Sequence, residues 1–179
     1  TNRQARRLGV GGEVLCEMYA KRIKNPMPVV VVRPANLYGE YDDFEWGTSH
    51  MVAALVRRVA ERHNPIEVWG GGDDVKDLLY IGDFVDGMLA AMEKVETFDP
   101  VNIASGIAIT TRDVLNTLIE VDNYKDAIIR YDTDRPTMIS KRLIDIAKAE
   151  TILGFTAKTS LKVGLKRTID WYREQKKTP

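Results

Sequence analysis

Four consecutive β-branched residues, Val29-Val30-Val31-Val32, run directly into Arg33-Pro34-Ala35-Asn36-Leu37-Tyr38-Gly39. A strand apolar on both faces is at home inside a parallel sheet covered by helices on each side. The preceding segment repeats Val14, Leu15, Met18, Tyr19 and Ile23 at helical spacing from Glu13 to Lys24, and Pro26 and Pro28 end it. Helix followed by buried strand is half of a βαβ unit, so the chain is expected to be α/β. Residues 1–11, with Arg3, Arg6, Arg7, Gly9 and Gly11, read as a lead-in, and residues 12–179 as one α/β domain.

The rest alternates in the same way. Thr48 or Ser49 is expected to cap a helix from His50 to Arg62. Ile66-Glu67-Val68-Trp69 and Leu78-Leu79-Tyr80-Ile81 read as short strands around the turn-rich Gly70-Gly71-Gly72-Asp73-Asp74. Asp83 is placed to cap a helix from Phe84 to Lys94. Val101 to Ala104 reads as a strand, Thr110 or Thr111 opens a helix to Val121, and Ile128 to Tyr131 reads as a strand. A short helix from Lys148 ends at Gly154, and Ser160 caps a last helix, Leu161 to Gln175.

Charge narrows the function. The 26 basic and 26 acidic residues cancel, which argues against a nucleic-acid partner. No apolar run reaches the 18 or so residues of a membrane span. A single cysteine, Cys16, has no internal disulfide partner and reads as a buried structural thiol in a reducing, cytoplasmic setting. The two histidines, His50 and His63, and the acidic loop Asp42, Asp43, Glu45 lack metal-ligand spacing.

Several phrases in order carry a family likeness. They are Arg33 to Gly39, Gly70-Gly71-Gly72 leading to Lys76-Asp77-Leu78-Leu79-Tyr80-Ile81-Gly82-Asp83, and Val101-Asn102-Ile103-Ala104-Ser105-Gly106. Asp145-Ile146-Ala147-Lys148-Ala149, Leu153-Gly154-Phe155 and Leu165 to Tyr172 complete the set. Together they resemble the sugar-nucleotide epimerase/dehydratase family of extended short-chain dehydrogenases, and within it the GDP-L-fucose synthase branch. The resemblance implies a partial Rossmann-type parallel sheet plus the family's small α/β substrate-binding lobe. It also implies a nucleotide-linked sugar as partner, NADP or NAD as cofactor, and a homo-oligomer built in part on the first helix.

Carried over residue by residue, the likeness gives His50 the role of proton donor to the sugar. A histidine in the first turn of a helix, near the positive end of the dipole, suits proton exchange and equally suits a surface position. Pro34, Ala35, Asn36 and Leu37 would line the nicotinamide and sugar site at a strand's C-terminal end. Asn36 also suits a turn. Arg58, Trp69 and Lys76 would clamp the sugar nucleotide, with Arg135 and Arg142 completing a pyrophosphate site; solvated surface is the plain alternative.

The departures matter as much. The family's glycine-rich phosphate turn is expected on the order of 100–150 residues upstream. Its catalytic tyrosine, and the lysine four residues later, fall at Ala5 and Gly9. The expectation is a truncated relative of an NADP-dependent epimerase/reductase, silent alone and not holding the dinucleotide tightly. A sugar-nucleotide binding module, and an oligomerisation scaffold or half of a split enzyme, remain as alternatives.

Overall fold

The computed structural model describes residues 2–135 and 139–177, without the side chains of residues 2–8 and 10. The first helix, α1, spans Asn2–Lys21. It is longer at its start than the Glu13 expected. Gly9, Gly11 and Gly12 sit inside it with open space where a Cβ would stand, so their cost there is lost helix propensity rather than a clash. Cys16 on this helix is half-buried, not sequestered as expected, because α1 turns much of its surface to solvent.

Strand β1 (Val30–Pro34) pairs in parallel with β5 (Asp99–Ile103), Val32 opposite Val101. The valine run is half-buried instead of enclosed on both faces, because β5 is the strand it pairs with among the described residues. The chain then steps across: Ala35 still donates to the Ile103 carbonyl (3.0 Å), while β2 (Asn36–Tyr38) pairs with β4 (Val75–Tyr80). Strand β4 also takes β6 (Ala108–Thr110) antiparallel and β8 (Lys141–Arg142) parallel. A third parallel pair joins β3 (Ile66–Trp69) to β7 (Ile129–Asp132).

Helices α2 (Met51–Ala60), α3 (Ile81–Lys94), α4 (Thr111–Val121) and α5 (Leu161–Lys177) cover these pairs. Thr110 begins α4 with a reciprocal capping box to Asp113, a device that contributes about 1 kcal/mol. Two other caps differ from expectation. His50, not Thr48 or Ser49, is the N-cap of α2, and its side chain makes no capping bond. The Thr48 and Ser49 amides are instead folded back onto the Glu45 carbonyl. Asp83 lies inside the first turn of α3, buried, and accepts from the Thr159 amide (2.9 Å) and hydroxyl (3.0 Å). A partner 76 residues away is invisible to local pattern. The segment before Gly154 is a π-helical turn, Ala149–Leu153, closed by Gly154 in the left-handed region at φ 60°.

Two cores result. The larger gathers Val52, Val56, Val59, Ile66, Val68, Leu115, Leu118, Leu165 and Ile169 between α2, α4, α5 and the β3–β7 pair. The smaller packs Val101, Ile103, Ala104, Leu153 and Phe155 against α3 and β1. The protein is therefore α/β, a partial Rossmann-type arrangement of parallel strands beside a smaller α/β lobe, as the sequence led us to expect. No described helix is long and apolar enough to cross a membrane.

Candidate functional site

Alternation along β3 builds the site's floor. Ile66 and Val68 point into the larger core, so Glu67 and Trp69 share the outer face. Helix α2 supplies the wall: Val52, Leu55, Val56 and Val59 face the core, and Met51, Ala54 and Arg58 rise along the flank that overlooks β3. The turn after β3 brings Asp74 and Lys76 around. Together with Trp46, Ser49 and Thr111 these residues enclose a cleft of about 530 Å³.

Arg58, Trp69 and Lys76 thus line one cleft, although 18 residues separate the first from the last (76 − 58). The Arg58 guanidinium bonds the Ala54 carbonyl at 3.3 Å and lies 4.9 Å from the Trp46 ring centre. Burial pulls its pKa below the ordinary arginine value, and the Glu67 carboxylate opposes that shift. Lys76 Nζ donates to the Ile139 carbonyl at 2.8 Å and stands 3.6 Å from Asp74. Trp69 keeps 60% of its surface exposed, with the Arg135 guanidinium 4.9 Å from its ring centre. Arg135 also pairs with Asp132 at 3.4 Å. Arg142 lies opposite Lys76 in the β4–β8 ladder, exposed, and does not line the cleft.

His50 is exposed between two residues that do line the cleft, Ser49 and Met51. It lies within electrostatic reach of the acidic loop. Asp42 is raised by burial, a shift His50 tempers. Asp43 is lowered, first by its bond with Thr48 and in smaller part by His50. The segment Pro34, Ala35, Asn36 and Leu37 stands elsewhere. Asn36 Nδ2 donates to the Asp77 carbonyl at 3.0 Å, which ties β2 to β4, and Leu37 packs on the smaller core. Its neighbour Tyr38 and the nearby Tyr80 are both pushed above the ordinary phenol value by burial, with Asp83 and Glu40 adding to it. Both phenols stay protonated near neutrality.

Trp46 and Glu67 escaped the sequence reading. Glu67 was legible in principle, because a strand with alternating burial puts it on the face that carries Trp69. Trp46 gave no signal, since its place depends on stacking with Arg57 (4.2 Å) and Arg58 from α2. His63 lies just past the end of α2, where its amide donates to the Arg58 carbonyl, and its ring sits 3.2 Å from Glu61 and stacks on Trp46. Among the described residues no cluster of histidine, cysteine or carboxylate side chains has metal-ligating geometry.

The cleft offers two cations, Arg58 and Lys76, each with a carboxylate nearby (Glu67 and Asp74), together with two indoles and two hydroxyls. That chemistry suits a ligand with anionic groups beside a flat or hydroxylated ring. Its fit to a dinucleotide is different. Gly9, Gly11 and Gly12 lie within α1, and Gly70 to Gly72 join β3 to β4, so neither cluster forms the strand–turn–helix cradle that holds a dinucleotide pyrophosphate.

Known proteins match this chain over most of its length. It is 31% identical over 167 residues to GDP-L-fucose synthase 1 of Arabidopsis thaliana, which covers 91% of this chain and 50% of the relative. It is 29% identical over 178 residues to GDP-L-fucose synthase of Escherichia coli, covering 92% and 54%. The chain spans about half the length of the curated relatives it matches. Among solved structures, UDP-glucose 4-epimerase of Thermotoga maritima, crystallised with UDP-glucose, superposes with a TM-score of 0.81 at 30% identity, over 93% of this chain and 52% of that one. The profile of the NAD dependent epimerase/dehydratase family matches residues 10–104, and the chain belongs to that family.

Proposed function

We propose that this chain is the sugar-nucleotide-binding portion of a GDP-L-fucose synthase-like protein. The observation that carries the reading is the cleft in which Arg58, Trp69 and Lys76 meet. Arg58 and Lys76 would hold the two phosphates, and Trp69 would lie against the ligand's ring, with Arg135 steadying that indole. His50, beside Ser49 and Met51, would act at the sugar end as proton donor. NADP or NAD belongs to the family's chemistry, where it supplies hydride. The residues present do not form its pyrophosphate cradle, and Ala5 and Gly9 offer neither a phenol nor an amine. The reading is therefore binding without turnover by this chain alone. A lone free cysteine fits a reducing, cytoplasmic setting.

The test is thermal unfolding with GDP- and UDP-linked hexoses. A ligand at about 100 times its Kd adds roughly 2.7 kcal/mol. For a domain of this size that is a rise of several degrees. Arg58→Ala should abolish the rise. No rise with any sugar nucleotide would overturn the reading.

A second reading rests on α1, where Val14, Leu15, Met18 and Tyr19 are each about half exposed along one helix. Contiguous exposed apolar surface marks an assembly face. We expect a homodimer through it. Sedimentation at micromolar concentration should show one, and Leu15→Glu with Met18→Glu should return a monomer. A wild-type chain monomeric at every concentration would contradict this.

A further inference from the structure

A second cavity, of about 450 Å³, lies beside the first and is lined by Trp46, Arg58, His63, Asn64, Pro65, Glu67 and Arg130. Trp46, Arg58 and Glu67 belong to both walls, so the two spaces are neighbours across one partition. They share a floor as well. The parallel register sets Glu67 directly opposite Arg130 on the outer face of the β3–β7 ladder, in line with Trp69. The two form an ion pair there.

Helix α2 runs along this trough. Its ten residues rise about 15 Å. Ser49 and Met51 mark one end, Arg58 stands near the far end of the helix, and His63 lies beyond it. If the sugar lies toward His50 and the phosphates at Arg58, the remaining part of the ligand, its nucleobase, has the second cavity to enter.

We infer that the Glu67–Arg130 pair reads the ring edge of that nucleobase and sets the preference for guanine. This rests on the sugar-nucleotide reading of the first cleft. The chemistry is selective. A carboxylate accepts and a guanidinium donates. The guanine edge presents one carbonyl acceptor followed by two N–H donors, which matches an arginine beside a glutamate. Hypoxanthine lacks the outer amino group and keeps one donor. Uracil presents one donor between two acceptors, and its second carbonyl would face the carboxylate. A site built to bond a donor rejects the analogue that lacks it, because its own polar group is left unpaired. The pair's role in the fold does not demand these residues: both side chains are about half exposed or more, where a cross-strand ion pair contributes little.

The experiment is calorimetric titration of the whole chain with GDP, IDP and UDP, repeated on Glu67→Gln. The substitution is at an exposed position and leaves the fold intact. GDP should bind at least about tenfold tighter than IDP or UDP, the discrimination of one good paired contact. In Glu67→Gln that ratio should collapse to within about threefold. Ratios are the readout because removing a negative charge near Arg58 acts on every diphosphate alike. Equal binding of the three by the wild type, or a GDP preference that survives in Glu67→Gln, overturns the inference and leaves the cleft reading standing. Binding of none of the three overturns both.

Discussion

Replacing Asp77 with leucine should remove about 3–5 kcal/mol of stability and lower the melting temperature by about 10 °C. Asp77 is wholly buried, at 0% exposure. One carboxylate oxygen accepts from the Ser105 amide (3.0 Å) and hydroxyl (2.8 Å). The other accepts from the Gly106 amide (3.1 Å) and the Ile144 amide (3.3 Å). Leucine is similar in size and accepts nothing. Three backbone donors and a hydroxyl would lose their acceptor, and each buried orphan costs about 1–3 kcal/mol, less where water reaches it. Gly106, held at φ 70°, sits in the turn that this carboxylate organises.

The same residue touches the candidate site through its neighbours. Its carbonyl accepts from Asn36, and it follows Lys76, whose opposite number in the ladder is Arg142. Asp77→Asn keeps one acceptor oxygen and should cost less than Asp77→Leu. The check is urea unfolding followed by far-ultraviolet circular dichroism. A loss under about 1 kcal/mol for Asp77→Leu would mean that solvent already serves those donors.

What the sequence made legible follows the range of the forces involved. Thr110 and Asp113 are three residues apart, and their reciprocal bonds need nothing else, so the start of α4 could be read. Gly154 after an apolar turn, and alternation from Ile66 to Trp69, are equally local. Failures gather where a distant partner decides. Asp83 looks like a cap until Thr159 arrives to bind it. The valine run looks enclosed until its pairing is known to be β5 alone among the described residues. Strands β6 and β8 exist because β4 offers them an edge, and three- and two-residue segments carry no periodicity of their own. For the site, residue types pointed to Arg58, Trp69 and Lys76 through family likeness, and the cleft brings them together. For Asn36 the sequence showed only a polar residue at a strand's end; its Nδ2 bond to the Asp77 carbonyl depends on a partner 41 residues away.

Leu79→Ala is expected to cost about 2–5 kcal/mol and to leave a single unfolding transition. Strand β4 is buried along its last four residues, so successive side chains enter opposite cores. Leu78 belongs to the larger core with Tyr38, Val56 and Ile109, and Leu79, 1% exposed, belongs to the smaller one with Ala35, Val101, Ile103 and Phe155. The strand is the common wall. Truncating Leu79 loses transfer free energy and opens a cavity among side chains that are mostly fully buried and have little room to relax. Melting of the smaller core would strip one face of β4 and withdraw support from Leu78 on the other, so the cores should unfold together. Met92→Ala is the contrast: it lies on α3, which also covers the smaller core, but is 71% exposed, and it should stay within about 0.5 kcal/mol of wild type. Differential scanning calorimetry decides the matter. Equal calorimetric and van't Hoff enthalpies for Leu79→Ala, with a melting temperature lowered by roughly 5–15 °C, support a shared wall. A split into two transitions would show that β4 belongs to one core and only borders the other.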